Sequence, residues 1–126
     1  MDAKTILIVD DDLPFTQFLE AAFAEAGYRT IVAKHGAAAF LELEITRPAL
    51  MLVDVFMPVI DGITFCRMAR ANATTRHTPI IVMSATHQHI PVPVAGFLTK
   101  PLDIDALLSL IVSLVEKAPG EKQVGA

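Results

Sequence analysis

Three short stretches of this chain are apolar almost without interruption: Thr5-Ile6-Leu7-Ile8-Val9, Ala49-Leu50-Met51-Leu52-Val53 and Pro79-Ile80-Ile81-Val82-Met83. Successive side chains of a strand point to opposite sides, so a strand with one wet face alternates apolar and polar residues. Continuous apolarity over about five residues needs cover on both faces, and a parallel sheet between two layers of helices supplies it. No other feature restricts the fold as strongly. Arg29-Thr30-Ile31-Val32-Ala33 is more mixed, as an outer strand would be, and Ala95-Gly96-Phe97-Leu98-Thr99 is a weaker fifth candidate.

Helical spacing fills the gaps between these runs. Phe15, Phe18, Leu19, Ala22, Phe23 and Ala26 form one stripe, with Pro14 near its start and Gly27 as its C-terminal stop. A second helix is expected over 37–45, ending before Pro48, and a third following Gly62 and running to about Ala71. The last follows Asp103, a good N-cap, with Ile104, Leu107, Leu108, Ile111 and Val115 on one stripe. Strand and helix thus alternate, which predicts an α/β fold: a five-stranded, open, parallel, doubly wound sheet of the flavodoxin-like kind with right-handed crossovers. One domain is expected over 1–117, with 118–126 a disordered tail.

Composition narrows the setting. The chain is 53% hydrophobic, yet no run approaches the roughly 20 apolar residues of a membrane span. The excess is therefore read as a sheet covered on both faces. The N-terminus enters a strand directly, so neither a signal peptide nor an anchor is expected. The single cysteine, Cys66, rules out an internal disulfide and fits a reducing, cytoplasmic location as a small core residue. A net charge of −4 without a basic block argues against nucleic acid as a direct ligand.

Ligands of an open α/β sheet bind outside the carboxyl ends of the strands. After the first strand come Asp10, Asp11 and Asp12; after the third, Asp54; after the fourth, Ser84; after the fifth, Lys100. Any one of these has the plain reading of a polar residue starting a loop, and Asp12 that of a helix N-cap. Together they bring acids, a hydroxyl and a cation to one rim. Two carboxylates about 4 Å apart repel by roughly 4 kcal/mol at an effective dielectric near 20. A hard divalent cation, Mg²⁺ (or Mn²⁺), relieves that conflict and keeps positions open for a phosphoryl group. The ammonium and hydroxyl would neutralise and orient phosphoryl oxygens, with a carboxylate available as nucleophile.

The motifs Ile8-Val9-Asp10-Asp11-Asp12, Val53-Asp54-Val55-Phe56-Met57-Pro58, Asp61-Gly62, Ser84-Ala85 and Lys100-Pro101, in this order and spacing, resemble the receiver domains of two-component response regulators over residues 4–117. The resemblance implies Asp54 as phosphoacceptor. It implies Asp11, Asp54 and the Phe56 backbone carbonyl as direct metal ligands, with Asp10 acting indirectly. It further implies Ser84 and Lys100 as phosphoryl-binding groups, Ser84 and Phe97 as switch residues, and a cis Lys100-Pro101 bond. The implied partners are a sensor histidine kinase or histidine phosphotransfer protein and a downstream effector, and with no effector domain following 114–126 the output is expected either in a separate protein or outside this sequence. Phe56 and Thr86 stand at the two positions that govern water access in this family. Neither is an acid or amide, so a long-lived phosphorylated form is expected.

One segment departs from the family. Only twelve residues, 84–95, separate Met83 from Gly96, and they include Pro91 and Pro93. Each interior proline costs a helix roughly 3 kcal/mol. The family's fourth helix is therefore expected to be absent or reduced to a turn. Either part of the sheet near Val82 and Phe97 is left uncovered, which would favour a homodimer through the fifth strand and last helix, or Ile90, Val92 and Val94 fold down over the gap. Two other functions compete with the phosphorylated switch. One is a pseudo-receiver that binds partners without phosphate. The other is a haloacid-dehalogenase-type phosphatase using Asp10 and Asp12, which leaves the Asp54 motif unexplained. His87 and His89 have no third ligand nearby and read as solvated loop residues.

Overall fold

The computed structural model describes residues 4–57, 60–86 and 88–116. The elements run β1 (Thr5–Val9), α1 (Leu13–Glu25), β2 (Arg29–Ala33), α2 (Gly36–Ile45), β3 (Leu50–Asp54), α3 (Gly62–Ala71), β4 (Ile80–Ser84), β5 (Gly96–Thr99) and α4 (Ile104–Val115). The strands form one parallel sheet in the order β2-β1-β3-β4-β5, so the chain reverses direction of winding between β1 and β3. Among the described residues no helix is long and apolar enough to cross a membrane. The expected tail lies outside the described residues, as do His87 and Pro58.

The continuous apolar runs are explained by two cores, one on each face. Leu7, Val9, Met51, Val53 and Val82 point to one side, where Ala39 and Leu43 of α2 and Phe65, Cys66 and Ala69 of α3 cover them. Ile6, Ile8, Leu50, Leu52, Ile81 and Met83 point to the other, against Leu19 and Phe23 of α1 and Leu107 and Ile111 of α4. Each such side chain removed from water contributes about 1.5–3 kcal/mol. The α1 stripe needs two corrections, the first being Ala26, which is an exposed cap just past the helix. Phe18 is 54% exposed, while Thr16 is buried, because the helix is rotated so that Thr16, Leu19 and Phe23 face the sheet. Gly27 ends α1 with φ +96°, a conformation glycine adopts without steric cost.

No helix forms among the described residues of 85–95. The strap instead alternates: Ile90, Val92 and Val94 are half-buried against the α2–α3 core, while Pro91 and Pro93 are exposed. Val82 is only 2% exposed, so the sheet face is covered and the expected gap does not exist. Two anchors hold the strap. The Ala95 N–H donates to the Ile80 carbonyl at 2.7 Å. The Arg70 guanidinium, at the end of α3, donates from Nε to Pro93 O (3.0 Å) and from Nη1 to the carbonyls of Thr75 (3.2 Å), Arg76 (3.3 Å) and Thr78 (2.8 Å).

A candidate phosphoryl and metal site at the carboxyl rim

Strand register is what assembles the rim. Val9 pairs with Val53, so Asp10 and Asp54, one residue further along each strand, emerge side by side. Ser84 pairs with Thr99, which puts Lys100 one residue past the hydroxyl. Lys100 is fastened there by its own N–H, which donates to Ser84 O at 2.8 Å, and the Lys100-Pro101 bond is cis.

Of the groups expected to converge, the three acids and the lysine lie together. One carboxylate oxygen from each of Asp10, Asp11 and Asp54 lies within 4.8 Å of the others. Asp10 and Asp54 are buried and Asp11 is exposed, so the cluster opens to solvent on one side. Lys100 Nζ lies 2.9 Å from Asp10 Oδ2 and 3.6 Å from Asp54 Oδ1. Asp12 takes the plainer role. Its Oδ1 accepts from the Phe15 N–H at 3.2 Å and caps α1, while its own N–H donates to Asp10 Oδ1 at 3.0 Å.

The electrostatics carry an unresolved excess of negative charge. Burial, then the neighbouring Asp10 carboxylate, push the pKa of Asp54 up; Lys100 and the Phe56 N–H act the other way without cancelling the rise. For Lys100, burial works against the ammonium. The hydrogen bond to Asp10 and the charges of Asp10 and Asp54 outweigh it and hold the pKa above its ordinary value. One lysine thus serves two buried acids, and an oxygen-ligated divalent cation suits the remaining donor set.

The loop after β3 is folded tightly back on the strand. The Gly62 N–H donates to Val55 O at 2.9 Å, and a Cβ on Gly62 would lie 2.1 Å from the Asp54 carbonyl oxygen. Only glycine permits that approach. Asp61 completes the turn by capping α3, accepting from the Thr64 N–H at 2.8 Å. Phe56 projects from this loop with its side chain 62% exposed.

Ser84 is fully buried, and its Oγ accepts from the Thr86 N–H and from Gln88 Nε2, both at 3.2 Å. Phe97 is half-buried against the α2–α3 core beside Val82. His89 is exposed. Two contributors were missed. Phe15 lies under Lys100, with Nζ 4.6 Å from the ring centroid, and Gln88 reaches Ser84. The helical stripe marked Phe15 only as apolar, and nothing local marked Gln88.

A switch point between β1 and β3, lined by acids and closed by the lysine that follows β5, defines a doubly wound α/β protein with an acidic carboxyl rim. The family profile of the response regulator receiver domain matches residues 6–112, and the chain belongs to that family. It is a receiver domain, a signalling module of two-component systems. Response regulator PleD of Caulobacter vibrioides is 34% identical over 115 residues, covering 86% of this chain and 25% of PleD. The phosphate regulon regulator PhoB of Pseudomonas aeruginosa is 28% identical over 130 positions, covering 98% of this chain and 57% of PhoB. The chain thus spans a quarter to just over half the length of these relatives. Among solved structures, the receiver domain of a histidine kinase from Syntrophus aciditrophicus superposes with a TM-score of 0.85 at 30% identity, covering 90% of this chain and 91% of that one. The receiver domain of a Pseudomonas aeruginosa sensor histidine kinase, solved with magnesium coordinated in its active-site cleft, gives a TM-score of 0.86 at 25% identity, covering 92% and 100%.

Proposed function

We propose that Asp54 accepts a phosphoryl group from a phosphohistidine on a sensor histidine kinase or histidine phosphotransfer protein, and that the phosphorylated domain regulates a downstream effector. An Asp54 carboxylate oxygen attacks phosphorus, the P–N bond breaks, and its electron pair returns to the imidazole nitrogen, leaving an acyl phosphate. Lys100 exchanges part of its contact with Asp10 and Asp54 for a phosphoryl oxygen. Ser84 uses its oxygen only as an acceptor in both recorded bonds, so its proton is available to donate to the phosphoryl group. Asp11, Asp54 and the Phe56 carbonyl would hold Mg²⁺ (or Mn²⁺), with Asp10 behind them. The ion supplies charge neutralisation for the transferring group.

The observation that carries this reading is the meeting of three carboxylates within 4.8 Å beside a lysine that reaches Asp54 at 3.6 Å. The domain promotes its own phosphorylation and dephosphorylation rather than turning over a separate substrate, in the cytoplasm where Cys66 stays reduced. Ser84 and Phe97 act as the switch pair, and the 85–95 strap beside them is the part that moves. The test is incubation with acetyl phosphate and Mg²⁺, read by intact mass. One phosphoryl addition is expected, lost with chelator and in Asp54→Ala. Labelling that persists in Asp54→Ala at the same rate overturns the assignment, and labelling on Asp10 would indicate the phosphatase chemistry instead.

A further inference from the structure

A helix that covers a sheet with one face normally turns polar residues outward. Helix α2 does not. Gly36, Ala39 and Leu43 are its buried face, yet Leu41 and Ile45 on the other side are 66% and 82% exposed. Residues four apart share a helical face, so the two side chains form one apolar ridge. Beside it, between α2 and α3, runs an open groove of about 350 Å³ lined by Phe40, Met68, Ala71 and Asn72.

The charges on this surface are sorted by helix. Those of α2 are acids, Glu42 and Glu44; those of α3 are bases, Arg67 and Arg70. Arg70 is committed to its four carbonyls. Glu44 and Arg67 are both exposed, and the ion pairs among the described residues are those of Lys100, so neither charge is compensated among the described residues. One surface therefore carries both halves of an interface: a ridge and a groove, an acidic helix and a basic one.

We infer that this surface docks a second copy of the chain, in an isologous dimer that lays α2 of each copy along α3 of its partner. A two-fold axis along the groove lays each copy's Leu41 and Ile45 ridge against the partner's α3 and brings Glu44 towards the partner's Arg67. Self-complementarity of this kind is what a two-fold interface requires, and it favours a second copy over an unrelated protein. Helix α2 starts near the carboxyl rim and ends at Ile45, so the ridge lies towards the far end and the dimer leaves Asp54 open. The earlier motive for pairing through β5 and α4, an uncovered sheet face, is gone.

Sedimentation velocity of the whole chain across a wide concentration range tests the inference. A reversible dimer is expected. Leu41→Glu and Ile45→Glu should each weaken it about tenfold or more by burying an unpaired charge, with unchanged circular dichroism because both sites are exposed. Glu44→Arg and Arg67→Glu should each weaken it singly and restore it together. A monomer at every concentration overturns the inference. So does a dimer that ignores these substitutions and dissociates with Val112→Glu on α4.

Discussion

Gln88 Nε2 donates to the Oγ of Ser84 at 3.2 Å, which ties the strap directly to the hydroxyl proposed to meet the phosphoryl group. The Thr86 N–H makes a second bond to the same oxygen. If Ser84 turns towards a phosphoryl group, both restraints are disturbed, and the strap becomes the first element to respond.

Gln88→Ala should therefore leave phosphoryl uptake at Asp54 within about twofold, since Gln88 touches no reacting group, while loosening the strap. Hydrogen exchange at the Thr86 and Ala95 amides should speed up in the unphosphorylated variant. Unchanged exchange would remove Gln88 from the switch.

Arg70 is the strap's other attachment. Replacing it with alanine removes four bonds to carbonyls and leaves those oxygens to find water, so urea unfolding should show a loss of about 2–3 kcal/mol. Arg70→Lys should recover little of this, because a single ammonium cannot span Pro93 and the three carbonyls of the 75–78 turn.

Asp54 should cost the metal-free fold stability at neutral pH. Its folded-state pKa is raised from 3.8 by burial and by Asp10. A raised carboxyl favours the protonated folded state, so its contribution is best below the ordinary carboxylate pKa and is lost as pH climbs through the raised value. Asp54→Asn, which mimics the neutral form, should melt close to wild type near pH 4, about the ordinary carboxylate range. It should melt several degrees higher at neutral pH in chelator. Added Mg²⁺ should narrow that gap by stabilising the wild type alone.

Gly62→Ala should disturb the site without touching a reacting group. The new methyl would lie 2.1 Å from Asp54 O and 2.8 Å from Val55 Cα, both backbone atoms that cannot step aside. A loss of about 2 kcal/mol or more is expected, together with slower uptake from acetyl phosphate as the strand end is pushed. Wild-type melting and labelling in this variant would contradict the close approach.

Phe56 tests lifetime. A phenyl ring cannot orient an attacking water, whereas an amide can, so Phe56→Asn should speed dephosphorylation by about tenfold. An unchanged rate after removal of the phosphodonor would mean that this exposed side chain plays no part.

Much of this protein was legible along the chain because the relevant causes are local. Five apolar residues in a row need two covered faces, which located β1, β3 and β4. Parallel strands deliver their ends to one edge, so the residues after them, Asp10, Asp54, Ser84 and Lys100, had to share a rim. Pro91 and Pro93 excluded a helix through backbone chemistry alone, and the alternation of Ile90, Val92 and Val94 already offered the way the gap is closed.

The rest depends on distances between residues remote in sequence. The rotation of α1 decides that Thr16 is buried and Phe18 is not, and it carries Phe15 beneath Lys100. The same kind of placement aims Arg70 at Pro93 and Gln88 at Ser84. Helix α2 is the sharpest case. Its apolar residues are spread over several sides, yet the sheet can cover only one face of a helix. Only the packed chain decides which apolar residues are left outside, and here they are Leu41 and Ile45.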